Sequence, residues 1–562
     1  MPLRFLRPVA LLTVAALIPL PRPAAAQEGD AGAYLAARIA GMNGDFREAS
    51  QWYARALIAD PSNVRLMEGA VIAGLSAGNY DSAVAVARRL MQMGATSQSA
   101  DLALMGDQAQ RGDFAGLLAD LEAGRSIGML IDGLARAWSE LGNGRMSEAL
   151  AEFGRLAETQ GVQAFGLYHK ALALASVGDF EGADEILSGR AAGTLRLSRR
   201  GVIAHAQILS QLERPEEAIA LLESAFPVES DPAVTAIIAR LRGGEMLPYT
   251  IARNATDGMA EVFFTLAVAL NGEAEDGYTL LYARIASWLR PDHVEAILLS
   301  AALLEQQEQY DLAVATYALV PPANEGFFAA EIGRARALQA ADKADTAIEV
   351  LQSLARAHAD MPSVHMALGD AFRRQERWAE AAEAYDAAVA RIGEPEQRHW
   401  SLFYSRAIVN ERQKLWDKAE PDFLKALELE PDQPQVLNYL GYSYIEMGVK
   451  LEEALKMIER AVEQQPDSGY IVDSLAWGLF RLGRFAEAVE PMERASVLEP
   501  VDPIVTDHLG DVYWMVGRKL EARFQWRRAL SFDPTEKDAE RIRRKLDIGL
   551  DAVMADEGGD AN

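Results

Sequence analysis

The chain has 562 residues, no cysteine and a formal net charge of −27. Without cysteine it cannot form disulfides, bind metals through thiolates or carry a lipid on an N-terminal cysteine. The excess of acidic residues argues against a nucleic-acid partner, because binding to a phosphate backbone requires clustered lysine and arginine. The length alone would suggest three or four domains, but that estimate fails when one unit repeats.

The first 26 residues have the features of a secretory signal peptide. Arg4 and Arg7 precede an apolar run over residues 9–18, and three alanines that end at Ala26 form a small-residue cleavage site. The apolar run is too short to span a bilayer. We therefore expect cleavage near Ala26 and a periplasmic protein with neither a transmembrane segment nor a lipid anchor. Its net charge would be −30, since the removed residues carry three arginines and no acid.

A pattern that recurs about every 34 residues organises the rest of the chain. Near the C-terminus it consists of Leu509, Gly510, Tyr513, Ala522, Trp526, Ala529 and Pro534. The preceding units repeat the pattern, with Met492 and Ile458 at the place of Trp526 and one extra residue in the turn of the unit at 434–468. Small residues at the first and third places let two antiparallel helices approach closely, and the large residue between the alanines fills the gap to the next pair. Proline ends the second helix because it cannot continue the hydrogen-bond ladder.

The pattern predicts an all-α fold, a right-handed superhelical solenoid of helix-turn-helix repeats in two arrays. The predicted segments are an N-terminal array over 27–232, an irregular joint over 233–259, a C-terminal array over 260–536, a capping helix over 537–553 and an acidic disordered tail over 554–562. The eight units of the C-terminal array are predicted to begin at Ala260, Val294, Phe328, Pro362, Trp400, Pro434, Gly469 and Pro503.

The stretch DHLGDVYW at 507–514 contains the most suggestive group of reactive side chains. In isolation, Asp507, His508 and Asp511 could form an acid/base cluster or half of a metal site. Within the repeat they are positions 5, 6 and 9 of a first helix, so they share one face. First helices line the concave surface of stacked repeats, and we therefore interpret these residues as part of a groove. The predicted binding residues are Asn438, Tyr439, Tyr442, Tyr470, Asp473, Trp477, Asp507, His508, Asp511 and Trp514.

The aromatic residues of the groove have two alternative roles. Tyr442 and Trp477 occupy the same ninth position of consecutive units. A row of large aromatics facing a groove suggests a contact surface. Alternatively, the rings pack between adjacent helices and belong to the core.

Other motifs with chemical meaning are weak or missing. The segment GLSAG at 74–78 resembles a nucleophile elbow, but it follows a helical stretch where that motif requires a strand. His358 and His365 are separated by Pro362, which excludes a zinc site on one helix. There is no phosphate-binding loop and no dinucleotide-binding glycine motif. We expect no cofactor, no metal site and no enzymatic activity.

Over residues 30–536 the repeats resemble those of tetratricopeptide proteins. The segments LNYLGYSYIEMG, LEEALKMIERAVEQQPDSGYIVDSLAWGLFRLGRFAEAVEPMERA and DPIVTDHLGDVYWMVGRKLEARFQWRRAL are more specific. They resemble exported Gram-negative tetratricopeptide proteins common in alphaproteobacteria. That group is similar to the outer-membrane lipoprotein adaptor that binds and activates a periplasmic C-terminal processing protease.

This resemblance implies a protein-binding scaffold that delivers substrates, such as cell-wall hydrolases, to a protease. The adaptor is anchored through a lipidated cysteine, which this chain lacks, so none of its partner-binding residues is carried over. We expect a periplasmic scaffold or adaptor that binds a protein segment in the concave groove. The alternatives are a solenoid that binds glycans or cell wall, and an enzyme subunit that uses Asp507, His508 and Asp511.

Overall fold

The computed structural model describes residues 28–191, 193, 195–226 and 231–559. Every regular element within these ranges is helical, and none is a strand. The prediction of an all-α fold built from consecutive helix pairs is therefore confirmed. The predicted signal peptide, residues 1–26, lies outside the described residues.

The chain divides into two compact units, and the division falls between Lys343 and Ala344. The helices of the first unit are α1 (Glu28–Met42), α2 (Phe46–Ala59), α3 (Val64–Ala77), α4 (Tyr80–Gln92), α5 (Gln98–Arg111), α6 (Phe114–Glu122), α7 (Met129–Gly142), α8 (Met146–Glu158), α9 (Gln163–Ser176), α10 (Phe180–Leu187), α11 (Arg199–Gln211), α12 (Pro215–Ala225), α13 (Pro232–Arg242), α14 (Ala255–Leu270), α15 (Asp276–Leu289), α16 (Val294–Gln306), α17 (Tyr310–Tyr317) and α18 (Phe327–Ala340).

The helices of the second unit are α19 (Ala344–Ala357), α20 (Pro362–Arg374), α21 (Trp378–Val389), α22 (Trp400–Arg412), α23 (Trp416–Leu429), α24 (Pro434–Met447), α25 (Leu451–Gln464), α26 (Gly469–Arg481), α27 (Phe485–Leu498), α28 (Pro503–Met515), α29 (Lys519–Ala529), α30 (Glu536–Ile548) and α31 (Leu550–Gly559). Short 3-10 turns at Gln397–His399 and Leu530–Phe532 complete it. The division between the units therefore falls in the turn between α18 and α19, the two helices of one predicted repeat.

Most predicted repeat starts coincide with the start of a first helix. This holds for Val294, Pro362, Trp400, Pro434, Gly469 and Pro503. Phe328 is one residue inside α18 and Ala260 is five residues inside α14. The predicted joint contains most of α13 and the non-helical segment 243–254, both within the first unit. The predicted capping helix corresponds to α30 and the start of α31, and α31 continues to Gly559 in the predicted tail.

In several repeats, a glycine of the first helix faces a large ring of the second helix. Gly510 of α28 lies against Trp526 of α29, and a Cβ at position 510 would overlap the indole. Trp526 and the alanines on either side, Ala522 and Ala529, are all fully buried. The same arrangement recurs where Gly369 faces Tyr385. The pairing of small and large residues predicted from the repeat pattern is therefore confirmed.

Consecutive repeats of the second unit are joined by a recurring hydrogen bond. An arginine near the end of each second helix donates to the carbonyl of the proline just after the previous second helix. These bonds are Arg460 to Pro431 at 2.9 Å, Arg494 to Pro466 at 2.5 Å and Arg528 to Pro500 at 2.5 Å. Because the three arginines are 34 residues apart, the bonds help to hold the repeats in one register.

In the first unit, the face of the early first helices is covered by later helices of the same unit. Helices α14 and α15 pack across α3, α5, α7 and α9. Arg284 of α15 is buried and donates to the carbonyl of Ser76 at 3.0 Å. The ring of Trp288 stacks on Tyr80 with centroids 4.8 Å apart. The N-terminal helices therefore hold a segment of their own chain against their first-helix face.

A buried ionic cluster fixes the end of this covered face. The Arg200 guanidinium of α11 lies 2.6 Å from Glu261 of α14 and 2.9 Å from Glu295 of α16. His293 approaches Glu261 at 3.3 Å. Burial opposes ionisation of Glu261, but Arg200 and His293 outweigh it and lower the pKa of that carboxyl to about 2. The cluster joins three helices that are distant in sequence.

The glycine that faces Trp526 gives a direct test of this packing. We expect Gly510→Ala to destabilise α28 and α29 by about 1–3 kcal/mol, because the new methyl group has to displace the indole from a filled core. Guanidinium denaturation followed by tryptophan fluorescence, together with hydrogen exchange in these helices, would measure the loss.

Gly154→Ala is the matched control. Gly154 lies in α8 with open space where a Cβ would be placed, so alanine there should be neutral or stabilise by up to about 1 kcal/mol. A Gly510→Ala protein as stable as the parent would show that this close approach does not limit the fold.

Candidate functional site

The first-helix face of the second unit differs from its counterpart in the first unit. Helices α22, α24 and α26 pack against consecutive helices of the stack. Their outer face carries exposed charged and aromatic side chains, among them Glu446, Tyr470 and Arg481. This face, formed by α22, α24 and α26, is called the open face below.

The ten predicted binding residues all lie on α24, α26 and α28, but their exposure to solvent differs. Tyr470 is 58% exposed. Asn438, Tyr439 and Tyr442 are half-buried. The buried residues are Asp473, Trp477, Asp507, His508, Asp511 and Trp514. These six do not line an open groove as they stand, and their contacts give the physical reasons.

Trp477 packs between two first helices. Its ring stacks on Phe480 at 4.7 Å and on the imidazole of His508 at 4.0 Å, and only 8% of the residue is exposed. Its indole N–H donates to Glu446 at 2.9 Å. Of the two alternatives for Trp477, the structure shows packing. Tyr442, at the equivalent position of α24, keeps an exposed edge.

His508 forms an ion pair between α26 and α28. Its Nδ1 lies 3.0 and 3.1 Å from the two carboxylate oxygens of Asp473. Burial favours the neutral imidazole, but the carboxylates of Asp473, Asp507 and Asp511 outweigh burial and raise the pKa of His508 above its ordinary value. The contact of the imidazole with Asp473 joins two repeats.

Asp507 and Asp511 are paired with a lysine from outside the repeats. The ammonium group of Lys545, on α30, lies 2.6 Å from Asp507 and 2.7 Å from Asp511, and Lys545 is fully buried. The indole N–H of Trp526 donates to the other oxygen of Asp511 at 2.9 Å. Burial, followed by the charge of Asp511, raises the pKa of Asp507 even though Lys545 opposes the rise. This contact is called the terminal lock below.

The terminal lock leaves little capacity for chemistry at DHLGDVYW. Lys545 and Trp526 occupy the oxygens of Asp511, and α30 covers the pair. Trp514 is covered as well, since its indole N–H donates to Asp551 of α31 at 2.9 Å. Among the described residues, no group of three or more histidine, aspartate or glutamate side chains could hold a metal ion. The arrangement attaches the last repeat to its cap.

Lys545 and the charged rim of the open face were not among the residues predicted from the sequence. Lys545 follows Ala539 and Ile542 at intervals of three, and all three are buried on one side of α30. That spacing is a signal that the lysine faces the core. Glu446 and Arg481 pair at 3.2 Å, and each lies four residues beyond an aromatic ninth position that was predicted.

One unsatisfied polar atom and one partly exposed hydroxyl lie at the open face. The Oδ1 atom of Asn438 is buried and has no hydrogen-bond partner in the described part of the chain. Burial, and then the nearby carboxylates of Glu446 and Asp473, raise the pKa of Tyr442, which keeps its hydroxyl protonated. Tyr439 is already engaged, because it donates to Glu411 at 3.0 Å. Tyr442 therefore offers a hydroxyl to an incoming chain, whereas the Oδ1 atom of Asn438 is covered.

Comparisons with known proteins match the repeats. Models of the tetratricopeptide repeat match residues 34–99, 332–395 and 436–468. A TPR repeat-containing protein of Pseudomonas aeruginosa is 27% identical over 190 residues, which are 33% of this chain and 31% of that protein. The match therefore spans about a third of the length of that relative.

Among solved structures, the chain is similar to the Cut9 and Hcn1 hetero-tetramer of the APC/C at 13% identity, with a TM-score of 0.39 over 93% of this chain and 96% of the other. It is also similar to yeast Tom70 at 14% identity, with a TM-score of 0.35 over 94% of this chain and 99% of the other. Within the described ranges, no helix is long and apolar enough to cross a membrane.

The ion pair of His508 predicts how stability depends on pH. A histidine whose pKa is raised by folding stabilises the folded state fully below its unfolded pKa of about 6.5, and this contribution is lost as pH rises through the folded pKa. We expect the melting temperature of the second unit to fall as the pH rises above about 6.5. His508→Gln should flatten this slope, and tryptophan fluorescence melts would measure it.

Two other buried histidines affect stability over a lower pH range. Burial lowers the pKa of His169 to about 4 and also lowers the pKa of His293, so both affect stability below pH 6.5. Asp473→Asn serves as a second variant, since it removes the acceptor and should flatten the same slope. A slope that is unchanged in both variants would contradict this assignment.

Proposed function

We propose that this chain, a tetratricopeptide repeat protein, is a periplasmic scaffold that binds segments of other proteins on the open face of its second unit. Tetratricopeptide repeats and their stacked helix pairs support a protein-interaction role. One observation supports the choice of the open face as the binding site. In the first unit the corresponding face is filled by α14 and α15, whereas α22, α24 and α26 keep exposed aromatic and charged groups.

The open face offers the contacts that a protein segment requires. Tyr470 provides an exposed ring, which suits an apolar anchor because aromatic residues supply much of the binding energy at interfaces. Tyr442 is half-buried and adds a hydroxyl that can donate a hydrogen bond to a backbone carbonyl of the segment. The pair of Glu446 and Arg481 lies at the edge, where charges fix orientation more than affinity.

The finer role we propose is the presentation of bound proteins to a periplasmic protease. Two features support it: the resemblance of residues 434–536 to the adaptor of C-terminal processing proteases, and the signal-peptide features of residues 1–26. A catalytic role is disfavoured, since tetratricopeptide folds are typically non-catalytic and the terminal lock engages Asp507 and Asp511. The chain would act by holding one protein near another.

Replacement of the tyrosines of the open face tests the binding site. We expect Tyr470→Ala and Tyr442→Ala each to weaken binding of the main periplasmic partner by about 2 kcal/mol or more. Tyr470→Ala should leave the melting temperature nearly unchanged, because that ring is mostly exposed. The partner would be captured from periplasm with the mature protein, identified by mass spectrometry and titrated by calorimetry.

Tyr278→Ala provides the control for this experiment. Tyr278 is 37% exposed but lies on α15 in the first unit, so its loss should not alter partner affinity. If the partner binds both open-face variants as tightly as the parent, the open face is not the binding site.

The proposed location has its own test. We expect the protein in the periplasmic fraction to begin at Gln27, because the alanines before it suit signal peptidase. N-terminal sequencing and intact mass would identify the cleavage point. Ala26→Asp should block cleavage, since a charged residue does not fit the small-residue site. An uncleaved parent chain recovered from membranes would contradict both the cleavage and the location.

A further inference from the structure

The outer side of α29 carries two large apolar residues in contact with solvent. Leu520 is 81% exposed and Phe524 is 65% exposed. They are four residues apart and therefore lie on one side of the helix. The opposite side of α29, with Ala522, Trp526 and Ala529, forms the core of the last repeat. Neither exposed residue is needed to fill that core.

The last repeat differs here from the repeats before it. At the positions equivalent to Leu520 and Phe524, α27 has Ala486 and Glu490 and α25 has Glu452 and Lys456. Single exposed apolar residues are common on protein surfaces. A pair that replaces small and charged residues in one repeat of a regular array is a specific feature of that repeat.

The same helix is basic within an acidic chain. Residues 518–528, RKLEARFQWRR, contain five lysines or arginines and one glutamate, whereas the whole chain carries −27. Glu521 is paired with Arg518 at 3.2 Å. Arg527 has no ion pair or hydrogen bond within the described part of the chain. The side chain of Lys519 is 59% exposed, with its nearest carboxylate 3.8 Å away.

We propose that this surface, formed by Lys519, Leu520, Arg523, Phe524 and Arg527, docks the protein on an anionic phospholipid membrane. The combination of exposed leucine and phenylalanine with flanking arginine and lysine is the one that places a helix in the interface plane of a bilayer. The two apolar side chains enter the boundary between headgroups and acyl chains. The cations contact lipid phosphates, each contributing about a fivefold gain in affinity near an anionic surface.

The candidate partners of this basic surface are a membrane, another copy of this acidic chain and an acidic protein segment. The combination of charged and apolar side chains favours the membrane. A lipid surface engages the three cations of this surface, Lys519, Arg523 and Arg527, at once and also accepts Leu520 and Phe524 without a shaped pocket. The attachment is reversible and peripheral, since a helix of 11 residues lies on a bilayer and does not cross it. This inference does not depend on which protein binds the open face.

Vesicle co-sedimentation of the mature, full-length protein tests the proposal. We expect binding to vesicles of phosphatidylethanolamine and phosphatidylglycerol at 3:1, and none to vesicles of phosphatidylcholine. The double variant Leu520→Ser with Phe524→Ser should bind at least about tenfold more weakly, because burial of both side chains is lost. Arg527→Glu should also lose about tenfold, and raised salt should weaken binding of the parent.

Two matched variants separate this surface from general properties of the chain. Ile58→Ser removes an apolar residue that is 84% exposed on α2, and Arg412→Glu makes the same charge change on α22. Both should bind the anionic vesicles like the parent. Melting curves would show that all variants are folded. The proposal is overturned if the parent does not bind anionic vesicles, or if the double variant and Arg527→Glu bind them as the parent does.

Discussion

Two helices of a repeat can approach closely only where one of them carries almost no side chain. Gly510 against Trp526 and Gly369 against Tyr385 are examples, and in each the ring occupies the space that a methyl group would need. The approach buries the alanines beside the ring and sets the distance between helices. Every later feature depends on it, because the spacing between first helices determines which side chains face each other across α24, α26 and α28.

The sequence predicted the fold well because this packing is local. Helices begin at Pro362, Trp400 and Pro434 as expected, since the residues that start and end them lie within one repeat. The candidate site was harder to predict. The buried partner of Asp507 is Lys545, 38 residues later and on a helix outside the repeat pattern. A periodic sequence shows which residues share a face, but not what covers that face.

The same limit applies to the first unit. Contacts such as that of Arg284 with Ser76, 208 residues apart, cover the early first helices, and no pattern within a single repeat reports them. The first-helix face therefore has a different role in each of the two units. One unit uses its first-helix face for its own folding, while the other retains the exposed ring of Tyr470 and exposed charged groups there. A repeat protein can in this way use one motif both as core and as interaction surface.

The terminal lock also affects how the chain can be degraded. In an array where each repeat contacts only its neighbours, the last repeat has a neighbour on one side only and tends to fray first. Proteases commonly attack such loosened ends. Lys545 buries a charge between Asp507 and Asp511, and pulling α30 away would leave both carboxylates without their cation. Loss of α30 is therefore opposed, which would slow proteolysis of the last repeat.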